Sequence, residues 1–91
     1  MSSGAERKSL TSHQIRAARA LLRWRAEDLA RVSKLGVATI KRAELADEHT
    51  SLTAANDDAV RRALESAGIE FIEENGGGSG VRFRKRKGQL L

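Results

Sequence analysis

A mainly α-helical fold of about four helices, closed by a C-terminal β-hairpin, is what three features of the sequence predict. Apolar residues recur at helical spacing through much of residues 10–68. Two of the helical patterns are short and meet across a four-residue interruption, within residues 26–45 (AEDLARVSKLGVATIKRAEL). Beyond Gly68 the apolar period changes to two, the spacing of strands with one buried face.

Ninety-one residues make a single domain with little core to spare. Trp24, Phe71 and Phe83 are the only aromatic residues, so the core must be aliphatic and rich in alanine. Such a core buries little area per helix, which favours dimerisation as a further source of burial. The absence of cysteine excludes a disulfide framework and thiolate metal sites. No apolar run approaches about 18 residues, and the N-terminal residues lack the apolar segment of a secretory signal. A soluble cytoplasmic protein with no membrane association is expected.

Residues 1–9 (MSSGAERKS) have no apolar periodicity and are expected to be disordered. Thr11 and Gln14 then stand at capping-box spacing, with Leu10 and Ile15 placed as a hydrophobic staple around them. The helix that follows has Ile15, Ala18, Leu21 and Leu22 on its apolar face and Arg16, Arg19 and Arg23 outside it. Its end is not written locally. The run RWRAEDLARVS contains neither glycine nor proline, and pattern alone permits one helix over residues 11–32.

Leu29, Ala30 and Val32 continue a helical pattern, and Ile40, Ala43 and Glu44 form another after Ser33, Lys34, Leu35 and Gly36 break the period. Helices joined this tightly must cross steeply, which is the helix-turn-helix geometry, and the second projects its N-terminal end outward. Residues 46–50 are a polar loop. Either Thr53 or Asn56 caps the next helix, which runs to about Ala67. Ala55, Ala59, Val60, Ala63, Leu64 and Ala67 form its apolar face, Leu52 packs at its entrance, and Asp57 and Asp58 suit its positive end. Gly68 suits the position just past its C-terminus.

Ile69-Glu70-Phe71 and Val81-Arg82-Phe83-Arg84 alternate apolar and charged residues around the glycine-rich residues 75–80. This is a hairpin with Ile69, Phe71, Val81 and Phe83 on one face. Its tip, ENGGGSG, has no following helix and no Gly-Lys-Ser/Thr, so it does not read as a nucleotide-binding loop. A two-stranded ribbon is marginal alone. It must lie on the helices or pair with the ribbon of a second subunit.

Glu27, Leu29 and Ala30 in one helix, with Leu35, Thr39, Ile40 and Glu44 in the next, resemble the Xre-type (lambda repressor/Cro-like) helix-turn-helix transcriptional regulators. The resemblance runs from about Ile15 to about Gly68 and implies a lambda-repressor-like bundle that breaks the first helix near Arg23 and Arg25. It also implies that Val37, Ala38 and Lys41 face the major groove, while Arg25, Lys34 and Arg42 lie towards phosphates. Lys41 is the one groove residue of the three able to donate a hydrogen bond, most naturally to guanine O6 or N7. Three departures from the family pattern stand out. Arg25 occupies the position of a Ser or Thr N-cap, Ala26 that of a phosphate-binding Gln, and Lys34 that of a left-handed Gly.

Charge is distributed in zones. Residues 15–42 carry eight basic and two acidic side chains, a net of +6; residues 43–80 carry two basic and nine acidic, a net of −7. Residues 81–91 carry five basic side chains and no acidic ones. Basic zones flanking an acidic one suit a polyanion on one side of the molecule. Arg82, Arg84, Lys85, Arg86 and Lys87 end the chain as a basic arm, either gripping phosphates or simply disordered.

His13 and His49 have no ligand spacing, and the carboxylates lie in a solvated zone, so neither a metal site, a cofactor nor catalytic activity is expected. The expected organisation is a DNA-binding domain at residues 10–68, a hairpin at 69–84 that mediates dimerisation, and a basic tail at 85–91. The expected function is a homodimeric, sequence-specific regulator on double-stranded DNA. The rival is a protein-interaction module, an antitoxin or anti-activator, that binds a basic partner through the acidic residues 43–80. RNA binding by the arginine-rich tail is a further alternative.

Overall fold

The computed structural model describes residues 9–84. Four helices, α1 (Ser12–Leu22), α2 (Ala26–Ser33), α3 (Val37–Leu45) and α4 (Ala54–Ser66), precede strands β1 (Ile69–Ile72) and β2 (Gly80–Phe83). The mainly helical architecture with a small antiparallel sheet agrees with expectation. The N-terminal residues 1–8, expected to be disordered, and the basic residues 85–91, expected to grip phosphates or be disordered, lie outside the described residues.

The capping box starts α1. Thr11 Oγ1 accepts from the Gln14 N–H at 3.1 Å, and Gln14 Oε1 accepts from the Thr11 N–H at 3.0 Å. The helix stops at a Schellman turn, where Trp24 N–H donates to Arg19 O at 2.9 Å and Arg23 N–H to Ala20 O at 3.1 Å. Arg23 is left-handed there, at φ 59°. This is the break that apolar pattern alone could not locate.

The end of α2 repeats the device. Leu35 N–H donates to Ala30 O at 3.0 Å, and Lys34 N–H to Arg31 O at 3.3 Å, with Lys34 left-handed at φ 63° and ψ 32°. The left-handed residue at this turn is therefore a lysine. Three residues separate α2 from α3, and Leu35 among them packs against the core.

Leu10, Ile15, Leu29, Ile40, Val60, Leu64 and Ile69 form the centre of the core, with Ala18, Ala26, Ala30, Ala43 and Ala63 filling between them. It is aliphatic and alanine-rich, as composition requires; Trp24 and Phe71 pack against it only in part. The apolar face expected of α1 is narrower, because Leu21 is exposed. Ser12 anchors the start of α1 to the loop after α3, its N–H donating to Glu48 O and its hydroxyl to Ala46 O, both at 2.8 Å.

Thr53, not Asn56, caps α4, accepting from the Asn56 N–H at 3.1 Å. The buried face of this helix is rotated from the one expected. Ala55 is exposed, while Asp57 and Arg61 are buried beside Val60, Ala63 and Leu64. The physical reason is that both polar side chains have tasks inside. Asp57 Oδ1 accepts from the Leu10 N–H at 2.9 Å, and the Arg61 guanidinium lies 5.3 Å from the centre of the Phe71 ring.

Strand β1 pairs antiparallel with β2, matching Ile69 with Phe83, Glu70 with Arg82, Phe71 with Val81 and Ile72 with Gly80. The hairpin lies on the helices of the same chain: β1 packs on α4 and β2 on α1. Gln14 Nε2 fastens it, donating to Gly80 O at 3.1 Å and Ile72 O at 3.4 Å. No helix among the described residues is long and apolar enough to cross a membrane.

Candidate nucleic-acid interface

A nine-residue helix has one face for the core and one for solvent, and α3 divides them by period. Ile40, Ala43 and Glu44 are buried; Ala38, Lys41 and Arg42 are exposed. Val37 departs from the expected outward position, because its side chain is half-buried and packs against the core. The reason is its place in the first turn, directly after the tight connection that draws Leu35 inward. Gly36 caps α3 with no side-chain hydrogen bond, and its φ of −70° demands no glycine.

What holds α3 in place is α1. Glu44 meets Arg19 through two parallel hydrogen bonds, Nε to Oε2 at 2.6 Å and Nη2 to Oε1 at 2.7 Å. The third guanidinium nitrogen donates to Trp24 O at 2.9 Å. Arg16 adds a bond from Nη1 to the Glu44 carbonyl, satisfying a free acceptor near the C-terminus of α3. The hydrogen bond that Arg19 donates to Glu44 raises the Arg19 pKa above its ordinary value, against the opposing effect of burial. Arg19 was expected outside the apolar face of α1; it belongs instead to a partly buried ion pair. Nothing local in the sequence links residues 25 positions apart.

Around α3 stand three of the residues expected to meet phosphates. Lys34 is exposed in its left-handed turn, Arg42 is exposed on α3, and Arg25 is exposed at the start of α2. Arginine offers no acceptor to the free N–H groups of α2, so the usual cap is absent. Asp28 supplies the reverse half of a capping box: its Oδ2 accepts from the Arg25 N–H at 2.8 Å. That backbone bond, with lesser help from Arg31 and the Arg25 charge, lowers the Asp28 pKa against the effect of burial. The signal was present in the sequence, as an acid three residues after the cap position.

Lys41, the one donor among the residues expected to face the groove, has its Nζ 3.8 Å from Glu27 Oε2 on α2. Both side chains are largely exposed, at 60 % and 53 %. The family resemblance includes Glu27 in the helix before the turn but implies no role for it beside Lys41.

Other expected contacts lie elsewhere in the fold. Arg82 pairs across the hairpin with Glu70, Nη2 to Oε2 at 3.1 Å, and Arg84 donates from both Nη atoms to Glu65 O at 3.4 Å. The Arg82 hydrogen bond lowers the Glu70 pKa, and the pair raises that of Arg82. These two arginines are engaged within the hairpin and with α4. Lys85, Arg86 and Lys87 lie outside the described residues.

Of the four residues expected to mediate dimerisation, Ile69 is fully buried and Phe71 and Val81 pack against the subunit's own core. The apolar face of the hairpin is consumed internally because a ribbon this short needs the helices beneath it. Phe83 alone of the four remains exposed, at 53 %.

No protein-family model matches the chain, and no curated protein matches it significantly. Among the described residues no group of three or more His, Cys, Asp or Glu side chains is placed to hold a metal ion. A pocket of about 280 Å³ lies where the hairpin, the start of α1 and the loop after α3 converge. Thr11, Gln14, His49, Arg61 and Phe71 line it, with Glu48, Glu73 and Glu74 also contributing. None of its lining residues belongs to α2 or α3.

Proposed function

We propose that this chain is a sequence-specific DNA-binding transcriptional regulator of the Xre (lambda repressor/Cro-like) type. In this reading it acts in the cytoplasm as a homodimer, with α3 in the major groove of double-stranded DNA. The observation that carries it is the α2–α3 pair: three connecting residues, Lys34 left-handed among them, and a short α3 anchored by Ile40, Ala43 and Glu44. That arrangement leaves Ala38, Lys41 and Arg42 in solvent, framed by Arg25 and Lys34.

Binding then combines two kinds of contact. Arg25, Lys34 and Arg42 neutralise phosphates and set the register, and Lys41 donates to guanine while Ala38 meets a thymine methyl. Val37, half-buried, contributes chiefly to seating α3 and touches a base only by its outer methyl. The +6 net charge of residues 15–42 supplies the attraction common to all DNA. Selection of bound duplexes from random DNA tests the reading. The expected result is a pseudo-palindrome with half-sites about 34 Å apart, one helical turn. Recovery of no enriched sequence overturns it.

One observation favours the rival, in which the acidic zone binds a basic protein. Glu48, Glu73 and Glu74 are all exposed and gather on one pocket. A charge-reversed triple variant at these residues separates the two: DNA affinity that is kept or raised supports the DNA-binding reading.

A further inference from the structure

The pairing of Glu27 with Lys41 has a consequence for how a base would be chosen. An exposed ion pair contributes little to stability, so the fold does not explain it. Its position is the informative part. Glu27 comes from α2 and Lys41 from the solvent face of α3, so the carboxylate stands beside the single donor that α3 offers to a base edge.

We propose that Glu27 is the positioning residue that makes Lys41 selective for guanine; this rests on the reading of α3 as the DNA-facing helix. An ammonium has three N–H donors and no acceptor. At 3.8 Å the Glu27 carboxylate draws the ammonium by charge without taking a hydrogen bond, so the donors remain for DNA. Guanine presents two neighbouring acceptors in the major groove, O6 and N7, with no donor beside them. Lys41 satisfies both while keeping Glu27 paired.

At any other base this balance fails. Adenine sets an N6 amino donor beside its N7, cytosine presents the N4 amino donor, and thymine offers a lone O4 acceptor next to a methyl group. Lys41 then gains by swinging to a phosphate, and doing so strips Glu27 of its counter-charge against a polyanion. Glu27 thus penalises the wrong base more than the right one. A long, flexible lysine is ordinarily a poor discriminator, because its charge finds a phosphate almost anywhere. The carboxylate beside it removes that freedom.

The test titrates wild type, K41A and E27Q at one salt concentration against three duplexes. These are a duplex selected from random DNA, the same duplex with one guanine–cytosine pair changed to adenine–thymine, and a scrambled duplex. The pair to change is the one whose replacement K41A does not sense. Wild type is expected to lose about tenfold or more on that replacement. E27Q is expected to bind the scrambled duplex several-fold more tightly than wild type, and to lose less than about threefold on the replacement. Tightening of E27Q by the same factor on all three duplexes overturns the proposal, because Glu27 would then be only a repulsive charge. Unchanged discrimination in E27Q overturns it too. Both outcomes leave the DNA-binding reading standing, whereas a wild type that binds no duplex removes that reading and this proposal together.

Discussion

Arg19 and Glu44 meet edge to edge, with two hydrogen bonds of 2.6 and 2.7 Å between side chains 25 residues apart. The same guanidinium reaches the Trp24 carbonyl, so one side chain on α1 holds both the last turn of α3 and the connection into α2. Planar two-point pairing fixes orientation as well as distance. The angle at which α3 stands is therefore set from beneath, by a residue that never faces solvent fully.

Breaking this pair should be costly and unequal. The Glu44 side chain is 9 % exposed and that of Arg19 22 %. Arg19→Met strands the more deeply buried charge and should lose about 3 kcal/mol of stability. Glu44→Gln keeps one acceptor for the guanidinium and should lose less. Urea denaturation of both variants checks the order; a larger loss in E44Q would mean that Arg19 is not the partner that makes burial of Glu44 tolerable.

Lys34→Gly should raise the unfolding midpoint. A side chain in the left-handed region costs roughly 1–2 kcal/mol, and the gain is trimmed because glycine has more unfolded freedom to lose. Arg23, at φ 59°, predicts the same for Arg23→Gly. The Lys34 variant should also bind DNA slightly more weakly at low salt. Calorimetric melting that falls on either substitution would contradict the strain argument.

Asp28→Asn should destabilise α2, with a pH signature. The folded pKa of Asp28 is lowered, first by the bond from the Arg25 N–H. The unfolded state therefore binds the proton more readily, and stability conferred by the carboxylate is full above the ordinary Asp value of about 4. It is lost as pH falls through the lowered folded pKa. Wild type and variant should thus differ in melting temperature at pH 7 and converge in strong acid. A gap that persists unchanged to low pH would show that the asparagine acts by some other route.

Lys41→Ala should cost about 1–3 kcal/mol on a selected duplex and much less on random DNA. Fluorescence anisotropy at fixed salt measures both. Equal losses would make Lys41 a phosphate contact.

Phe83→Asp is the informative change for self-association. Phe71 packs against the core, so a charge there should unfold the subunit, whereas Phe83 is exposed and can be altered with the fold intact. Sedimentation of a well-folded F83D is expected to give a monomer. A variant that sediments as the wild type would remove the hairpin from the interface.

The sequence carries the local signals of this fold openly and the long-range ones not at all. The Thr11–Gln14 capping box and the hairpin strands each follow from residues within a few positions of one another, whereas the left-handed turn at Lys34 was implied by the family resemblance alone. The break after Leu22 needed the family resemblance, because Arg23 closes the helix in a conformation that arginine does not advertise. The rotated face of α4 escaped because Asp57 and Arg61 are polar by type, and the groups that make their burial tolerable, the Leu10 N–H and the Phe71 ring, lie far along the chain. Within the candidate interface, Ala38, Lys41 and Arg42 were legible through the family resemblance, and helical period agrees with their exposure. Arg19, Glu44 and the Glu27 partner of Lys41 were not, since each contact joins two helices.

Gln14 gives its amide oxygen to the Thr11 N–H and its amide nitrogen to the carbonyls of Ile72 and Gly80. One planar group thus ties the first turn of the first helix to the mouth of the hairpin, 58 and 66 residues later. Loss of either end releases the other, because an amide that swings to follow one partner abandons the second. The helices and the ribbon should accordingly open as a single cooperative unit. In hydrogen exchange, the amide protons paired between β1 and β2 should be as well protected as those in the middle of α1, with no early-opening step confined to the C-terminal third.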